Sequence, residues 1–351
     1  MKGVDADAAR ALMEFGFTGA EAASLEQLPR GIKNLNYKVR ASGQDWVLKC
    51  HQAAGAAERL ASSHRMELAL GQAGFPVAPL RRLESGRTIV ETPTGVFTLH
   101  AWVEGRQISI DQREQALSDK PALVEELGGL LGELHREAAG SLGHGSGNGQ
   151  ADVLARLAAP SEIAARVRRG GTLGTSKTLK MRLRGPRNEF ERWILEVLPD
   201  LFRRADRLAS PEVASQVDGG DVVVAHNDLN WENVVLSPSL DVLAVLDFDN
   251  ASVLPRALDV GAAAVVLVGV EPSRVERFSS AYAQASGVSV ERSALALGMQ
   301  WKCVRSILWT IDAYASGKVG RSELAATWCG HLYDSAQTLP LWGGPLKCEE
   351  A

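Results

Sequence analysis

His226-Asn227-Asp228-Leu229-Asn230-Trp231-Glu232-Asn233 is followed by Val234-Val235-Leu236, by the turn Ser237-Pro238-Ser239, and by an apolar run from Val242 to Leu246 that ends in Asp247-Phe248-Asp249. Two short apolar runs around a serine-proline turn predict a hairpin. Another run, Asp221-Val222-Val223-Val224-Ala225, leads the chain into the polar stretch. The hairpin sets Asn233, ahead of its first strand, beside Asp247, just past its second. Asp and Asn are ordinary turn residues. Capping alone, however, does not explain a histidine, two carboxylates and an amide all in register with one hairpin. An amide oxygen and a carboxylate from neighbouring segments suit Mg²⁺, a hard cation that takes one or two carboxylates and otherwise keeps phosphate oxygens and water.

The spacing H-x-D-x-x-x-x-N, with a downstream strand ending in D-F, is the phosphoryl-transfer signature of kinase-fold enzymes. On that pattern Asp228 accepts the proton of an attacking hydroxyl. Asn233 and Asp247 hold the magnesium ions that neutralise a triphosphate.

Upstream, apolar spacing predicts a helix from Ala6 to Leu28. A hairpin follows, with strands through Tyr37-Lys38-Val39 and Asp45 to Cys50 around the turn Ser42-Gly43-Gln44. Lys49 sits late in the second strand, in a V-x-L-K setting like that of the lysine that contacts α- and β-phosphates. The alternative is an edge-strand lysine facing water, and the downstream pattern favours the phosphate role. A helix from about Ala56 to Gln72 carries Glu58 and Glu67, and one of these, Glu67 by preference, is expected to pair with Lys49. Thr88 to Glu91 and Val96 to Ala101 read as two more strands around Pro93-Thr94-Gly95. Trp102-Val103-Glu104-Gly105 then ends the sheet, where a two-lobed kinase places the hinge that binds adenine through its backbone.

Leu123, Leu127, Leu130, Leu131 and Leu134 form the apolar stripe of a helix between Pro121 and Ala138, and a glycine-rich loop runs from Ser141 to Gln150. Arg166, Arg168, Arg169, Lys177, Lys180, Arg182, Arg184 and Arg187 occur without an intervening acid. Such clusters are usually solvent-facing and compensated from elsewhere, although an anion-recognising lid is the other reading. After the hairpin, Arg256-Ala257-Leu258-Asp259-Val260 opens a mostly helical end, with Asp259 placed to brace the catalytic loop. Trp301, Arg305, Trp309 and Asp312 share helical spacing, as a core stripe or as a pocket for a cationic amine.

The 351 residues suffice for a two-lobed unit, with an expected division at 1–104 and 105–351. The net charge of −4 argues against a nucleic-acid partner. No apolar run has the length of a membrane span, and the acidic start lacks a signal-peptide core. Cys50, Cys303, Cys329 and Cys348 are scattered without a C-x-x-C pair, which suits reduced thiols in a cytoplasmic protein.

These features together resemble the aminoglycoside phosphotransferase and choline kinase superfamily, with its homoserine-kinase-like branch. The resemblance is carried by Gly31-x-x-Asn34-x-Asn36-Tyr37-x-Val39, Val47-Leu48-Lys49, Gly74-Phe75-Pro76-Val77, Val103-Glu104-Gly105, Leu127-Gly128-x-Leu130-Leu131-x-x-Leu134-His135, the 226–233 loop and Leu246-Asp247-Phe248-Asp249. It implies an α+β, bilobal protein-kinase-like fold, with a small N-terminal antiparallel sheet lobe and a larger, mostly helical C-terminal lobe. It also implies ATP- and Mg²⁺-dependent transfer to a hydroxyl of a small molecule: an amino alcohol, a homoserine-like amino acid or a sugar. By position, Asp228 is the base, and His226 organises its loop. Asn233 and Asp247 are the metal ligands, and Asp249 stands where protein kinases have a glycine and approaches a second metal. Lys49, Glu67, Asn34, Asn36, His100 and Trp102 line the nucleotide. An aminoglycoside antibiotic phosphotransferase and a non-catalytic nucleotide-binding protein of the same fold are the alternatives.

Overall fold

A computed structural model describes residues 2–17, 25–28, 34–139, 141, 150–169, 177–319 and 322–339. Gly31, the glycine-rich 142–149, residues 170–176 of the basic stretch and Cys348 lie outside them. By compactness the chain divides into two units that interleave along the sequence. The first comprises Met1–Gln107, Glu137–Gly143 and Glu232–Ser252, and the second Ile108–Arg136, His144–Trp231 and Val253–Ala351.

The first unit contains helices α1 (Lys2–Glu14) and α2 (Ala56–Gln72) and strands β1 (Leu25–Gln27), β2 (Leu35–Ala41), β3 (Gln44–His51), β4 (Val90–Thr92) and β5 (Gly95–Ala101). The strands form one antiparallel sheet in the order β1-β2-β3-β5-β4. Ala41 pairs with Gln44, so Ser42 (φ 51°) and Gly43 (φ 77°) are a two-residue turn with both φ values positive, the form whose twist matches a β-hairpin. Ala8, Ala11 and Leu12 of α1, with Phe15 just past its end, pack with Tyr37, Val39, Leu48, Phe97 and Leu99 as the core. The helix expected to continue to Leu28 stops at Glu14. Gly16 takes the left-handed conformation (φ 92°), and the Phe17 N–H returns to the Leu12 carbonyl at 3.1 Å, which terminates the helix. Leu25–Gln27 is instead an edge strand paired to Val39–Tyr37.

Strands β7 (Val234–Leu236) and β8 (Val242–Val245) make the expected hairpin, Val234 opposite Val245, and belong to this first unit. Arg106 and Leu236 exchange backbone hydrogen bonds of 2.9 and 2.8 Å, and the Val245 N–H donates to the Pro76 carbonyl at 2.8 Å. Gly105 makes the first junction possible, since a Cβ there would lie 2.6 Å from Val235 Cγ1 and 2.8 Å from the Leu236 carbonyl oxygen.

The second unit holds strands β6 (Val222–Ala225) and β9 (Ser252–Pro255, from its second residue), paired as a two-stranded sheet. Its helices are α3 (Arg113–Asp119), α4 (Leu123–Glu137, to Arg136), α5 (Gln150–Arg169), α6 (Lys177–Arg184), α7 (Glu189–Leu208), α8 (Pro211–Ala214), α9 (Arg256–Leu267), α10 (Pro272–Ser286), α11 (Arg292–Ala315) and α12 (Ser322–Thr338). The leucine stripe of α4 is buried as its spacing predicts. From Ala257 to Leu267 every residue of α9 is buried, the mark of a helix enclosed on all sides. It meets α11 backbone to backbone, for a Cβ on Gly298 would fall 2.2 Å from the Ala257 carbonyl oxygen.

Three arginines of the basic stretch are paired with acids. Arg168 pairs with Asp206 at 2.9 Å, Arg166 with Asp312 at 3.5 Å, and Arg184 grips Glu191 with two bonds of 2.7 and 2.8 Å. Cys50, Cys303 and Cys329 are buried free thiols. Among the described residues no helix is long and apolar enough to cross a membrane.

Candidate active site

In the first unit the site begins at Lys49. Alternation along β3 leaves Lys49 half-buried beside core residues Leu48 and Cys50. Its Nζ lies 2.7 Å from Asp247 Oδ1 and 3.4 Å from Asp249 Oδ2. Burial acts to lower the lysine's affinity for its proton, but the two carboxylates outweigh it and hold the ammonium well above its ordinary range. Asp249 also accepts from Asn34 Nδ2 at 2.9 Å and lies 3.3 Å from His51 Nδ1. Burial first, then the Asp247 carboxylate beside it, pushes the Asp249 carboxyl above the usual range against the pull of Lys49. One ammonium therefore serves two crowded carboxylates, and the place is short of positive charge. Asp247 adopts a left-handed backbone (φ 66°), uncommon outside glycine although Asp tolerates it better than most. The Leu246 N–H donates to the Asn233 carbonyl at 2.8 Å. Asn233 and Asp247 thus flank the last rung of the β7–β8 ladder, an amide and a carboxylate at one end of a hairpin.

Glu67 does not take Lys49 as its ion-pair partner. Its Oε1 is 3.2 Å from His100 Nε2 on β5, and it reaches Lys49 only through its longer-range field. Two carboxylates from the hairpin already occupy the ammonium, which the sequence order of kinase elements did not foretell. Burial works to raise the Glu67 carboxyl, but the neighbouring imidazoles bring it below the ordinary range. Asn36 stands opposite Lys49 in the β2–β3 register. The Trp102 backbone N–H is donated to the Asp45 carbonyl at 2.9 Å, so it is not available to a nucleotide base, and Lys38 Nζ rests 4.1 Å from the Trp102 ring centre.

In the second unit the site centres on Asp228. His226 is fully buried, and its Nδ1 accepts the Asp228 N–H at 3.3 Å. Asn230 Nδ2 donates to the Asp228 carbonyl at 3.0 Å. Asn227 is left-handed (φ 63°), and Asp259 Oδ1 holds its N–H at 3.2 Å. The brace continues inward: Asp259 Oδ2 lies 3.0 Å from His135 Nε2, His135 Nδ1 lies 2.8 Å from Tyr282 Oη, and Tyr282 Oη accepts from Arg256 at 2.8 Å. Arg256 Nε in turn contacts both Asp221 oxygens at 2.8 and 2.9 Å. This chain, buried from Asp259 to Tyr282, ties the loop to the strand before it and to the helices behind it.

Lys302 is the candidate site residue that sequence reasoning missed. It is buried on α11, and its Nζ lies 3.2 Å from Asp228 Oδ1. The one signal is a charge inside a run otherwise buried from Ala294 to Val304. Arg305, one turn on, stacks on Trp301 at 4.8 Å, and among the described residues no carboxylate forms an ion pair with it. Burial pushes its guanidinium below the ordinary range, partly offset by the field of Asp228. Trp301 is core, and its Nε1 donates to the Arg156 carbonyl at 2.8 Å.

A phosphotransferase enzyme family model matches residues 24–297, which includes the Lys49 strand, the 226–233 loop and the Asp247 hairpin. The chain belongs to this family. It is accordingly a small-molecule phosphotransferase with a mixed α+β, kinase-like fold: a small antiparallel sheet in its N-terminal region and a mostly helical remainder. An aminoglycoside phosphotransferase from Alicyclobacillus acidocaldarius is similar over 93% of this chain and 92% of its own, at 14% identity and a TM-score of 0.56. Spectinomycin phosphotransferase, solved with ADP and spectinomycin, is similar over 89% and 88% of the two chains, at 12% identity and a TM-score of 0.57. A choline/ethanolamine kinase family protein from Mesorhizobium loti is similar over 96% and 95%, at 17% identity and a TM-score of 0.56. At these identities the likeness is one of fold. No curated protein matches the chain in sequence.

Proposed function

We propose that this phosphotransferase moves the γ-phosphoryl group of ATP to the hydroxyl of a small carboxylate-bearing acceptor, of the homoserine-like amino acid type. The observation that carries the acceptor class is the cationic surplus in the second unit: buried Lys302 at 3.2 Å from Asp228, with Arg305 lacking a carboxylate partner among the described residues. A guanidinium that is partly desolvated and unpaired favours an anionic ligand group. A polycationic aminoglycoside or a choline-like amine would meet like charge there, and like-charge juxtaposition disfavours a partner.

Asp228 is the base in this reading, taking the hydroxyl proton as the acceptor oxygen attacks phosphorus. Lys302 and Asn230 hold its orientation, and His226 shapes the loop. The residues of the first unit suit a magnesium nucleotide. Asn233, Asp247 and Asp249 are hard oxygen donors, and two carboxylates crowded on one ammonium favour an added cation. Mg²⁺, when bound, supplies neutralisation of the triphosphate charge. Lys49 would pair with phosphate oxygens, and residues 1–104 would carry the nucleotide-binding part, with Asn34 and Asn36 beside it.

ADP release measured across hydroxy amino acids, amino alcohols, sugars and aminoglycosides tests this. The expected result is turnover with a carboxylate-bearing acceptor. Arg305→Gln is expected to raise its KM roughly 10-fold or more, the worth of a charged hydrogen bond, with the KM for ATP unchanged. Turnover confined to aminoglycosides or amino alcohols would refute the acceptor class and leave the phosphotransfer chemistry in place.

A further inference from the structure

We propose that His64, Glu67 and His100 form a binding site for a borderline-soft divalent transition metal of the zinc class, which clamps helix α2 to strand β5. His64 and Glu67 are three residues apart on α2, so their side chains leave the helix on one face. His100 comes from β5. One donor atom from each residue lies within 4.8 Å of the other two. Glu67 Oε1 and His100 Nε2 are 3.2 Å apart, close to the roughly 3.3 Å between ligands of a tetrahedral zinc with bonds of about 2.0–2.1 Å.

The surroundings also suit a metal. Thr88 Oγ1 lies 2.7 Å from His64 Nδ1, the kind of outer hydrogen bond that fixes a ligating imidazole and leaves the other nitrogen to the metal. His64 and Glu67 are almost fully buried. Two imidazoles and one carboxylate are a zinc-type set that keeps one position open, unlike the all-oxygen sets of Mg²⁺ and Ca²⁺. The site uses none of the residues given to Mg²⁺.

The full-length, reduced, chelator-treated protein is titrated with Zn²⁺, and with Co²⁺ as a coloured probe. The expected result is one equivalent of zinc removed by His64→Gln and by His100→Gln, and a thermal midpoint raised by zinc in the parent protein alone. Thr88→Val, which removes only the outer hydroxyl, is expected to weaken binding roughly 10–100-fold. His100→Gln keeps a donor toward Glu67, so a loss of zinc in a variant with the parent's metal-free midpoint separates ligation from a purely structural hydrogen-bond network. Absence of stoichiometric binding, or binding unchanged in all three variants, would overturn the proposal. Turnover is not part of the readout, so either outcome leaves the phosphotransferase reading untouched.

Discussion

Lys49 with Asp247 and Asp249 in the first unit, and Lys302 with Asp228 in the second, are both lysine–aspartate groups on buried elements, yet their charge balance is opposite. In the first, one ammonium is shared by two carboxylates at 2.7 and 3.4 Å. In the second, one carboxylate has a lysine at 3.2 Å and a partner-poor arginine one helical turn further on. On the function proposed above, the first group suits an added cation and the second an anionic acceptor. The backbone differs in the same way. Just past the hairpin the candidate ligand Asp247 is itself left-handed (φ 66°), whereas in the loop it is Asn227 (φ 63°), the neighbour of the candidate base. Strain of this kind persists where the surroundings over-determine it. The second unit supplies such surroundings through the hydrogen-bonded chain from Asp259 to Asp221.

The comparison breaks most sharply at Asp247. Asp247→Asn removes one of the two crowded carboxylates and is expected to abolish measurable turnover and to weaken Mg-ATP binding at least 10-fold by calorimetry. Nucleotide binding left at the parent level would mean that the first unit does not hold the metal-nucleotide.

A smaller effect separates the two units by stability. In metal-free protein, burial holds His64 down at about 4 and His51 at about 3, against about 6.5 when unfolded. The unfolded chain therefore binds more protons as pH falls below about 6.5, and folding stability declines from there toward pH 4. Glu67, lowered in the folded state, adds to this loss below the ordinary carboxylate range, while the raised Asp249 acts in the opposite direction. Amide protection in α2 and β5 should fall between pH 6.5 and 5, before that of α9 and α11. Equal sensitivity in both regions would contradict the assignment.

The smallest expected effect lies in the second unit. Gly298→Ala forces a Cβ toward the Ala257 carbonyl and is expected to cost about 1–3 kcal/mol by denaturant unfolding. It should also raise the acceptor KM more than the ATP KM, since α11 carries Lys302 and Arg305. An unchanged midpoint would show that α9 and α11 are not packed so closely.

Much of this was legible from one chain because local patterns carry it. The β7–β8 hairpin, the limits of α2 and the leucine face of α4 follow from period and turn chemistry, and Asn233 and Asp247 came with them. Long-range partners left no such mark. The choice of His100 rather than Lys49 by Glu67 depends on two hairpin carboxylates reaching Lys49 first, and those are 198 and 200 residues away in sequence. Lys302 meets Asp228 across 74 residues, and nothing around it in α11 signals a site beyond its charge. The end of α1 was misjudged for a local reason: one glycine in the left-handed conformation outweighed an apolar period that continued past it.

The division of labour between the two units is tested most directly by Asp228→Asn, studied by calorimetry with Mg-ATP and by ADP release with the preferred acceptor. The dissociation constant for Mg-ATP should stay within about twofold of the parent, while turnover falls by roughly 10²–10⁴, the contribution of a positioned general base. Turnover near the parent level would contradict the assignment of Asp228, and loss of nucleotide binding along with turnover would contradict the separation of the two sites.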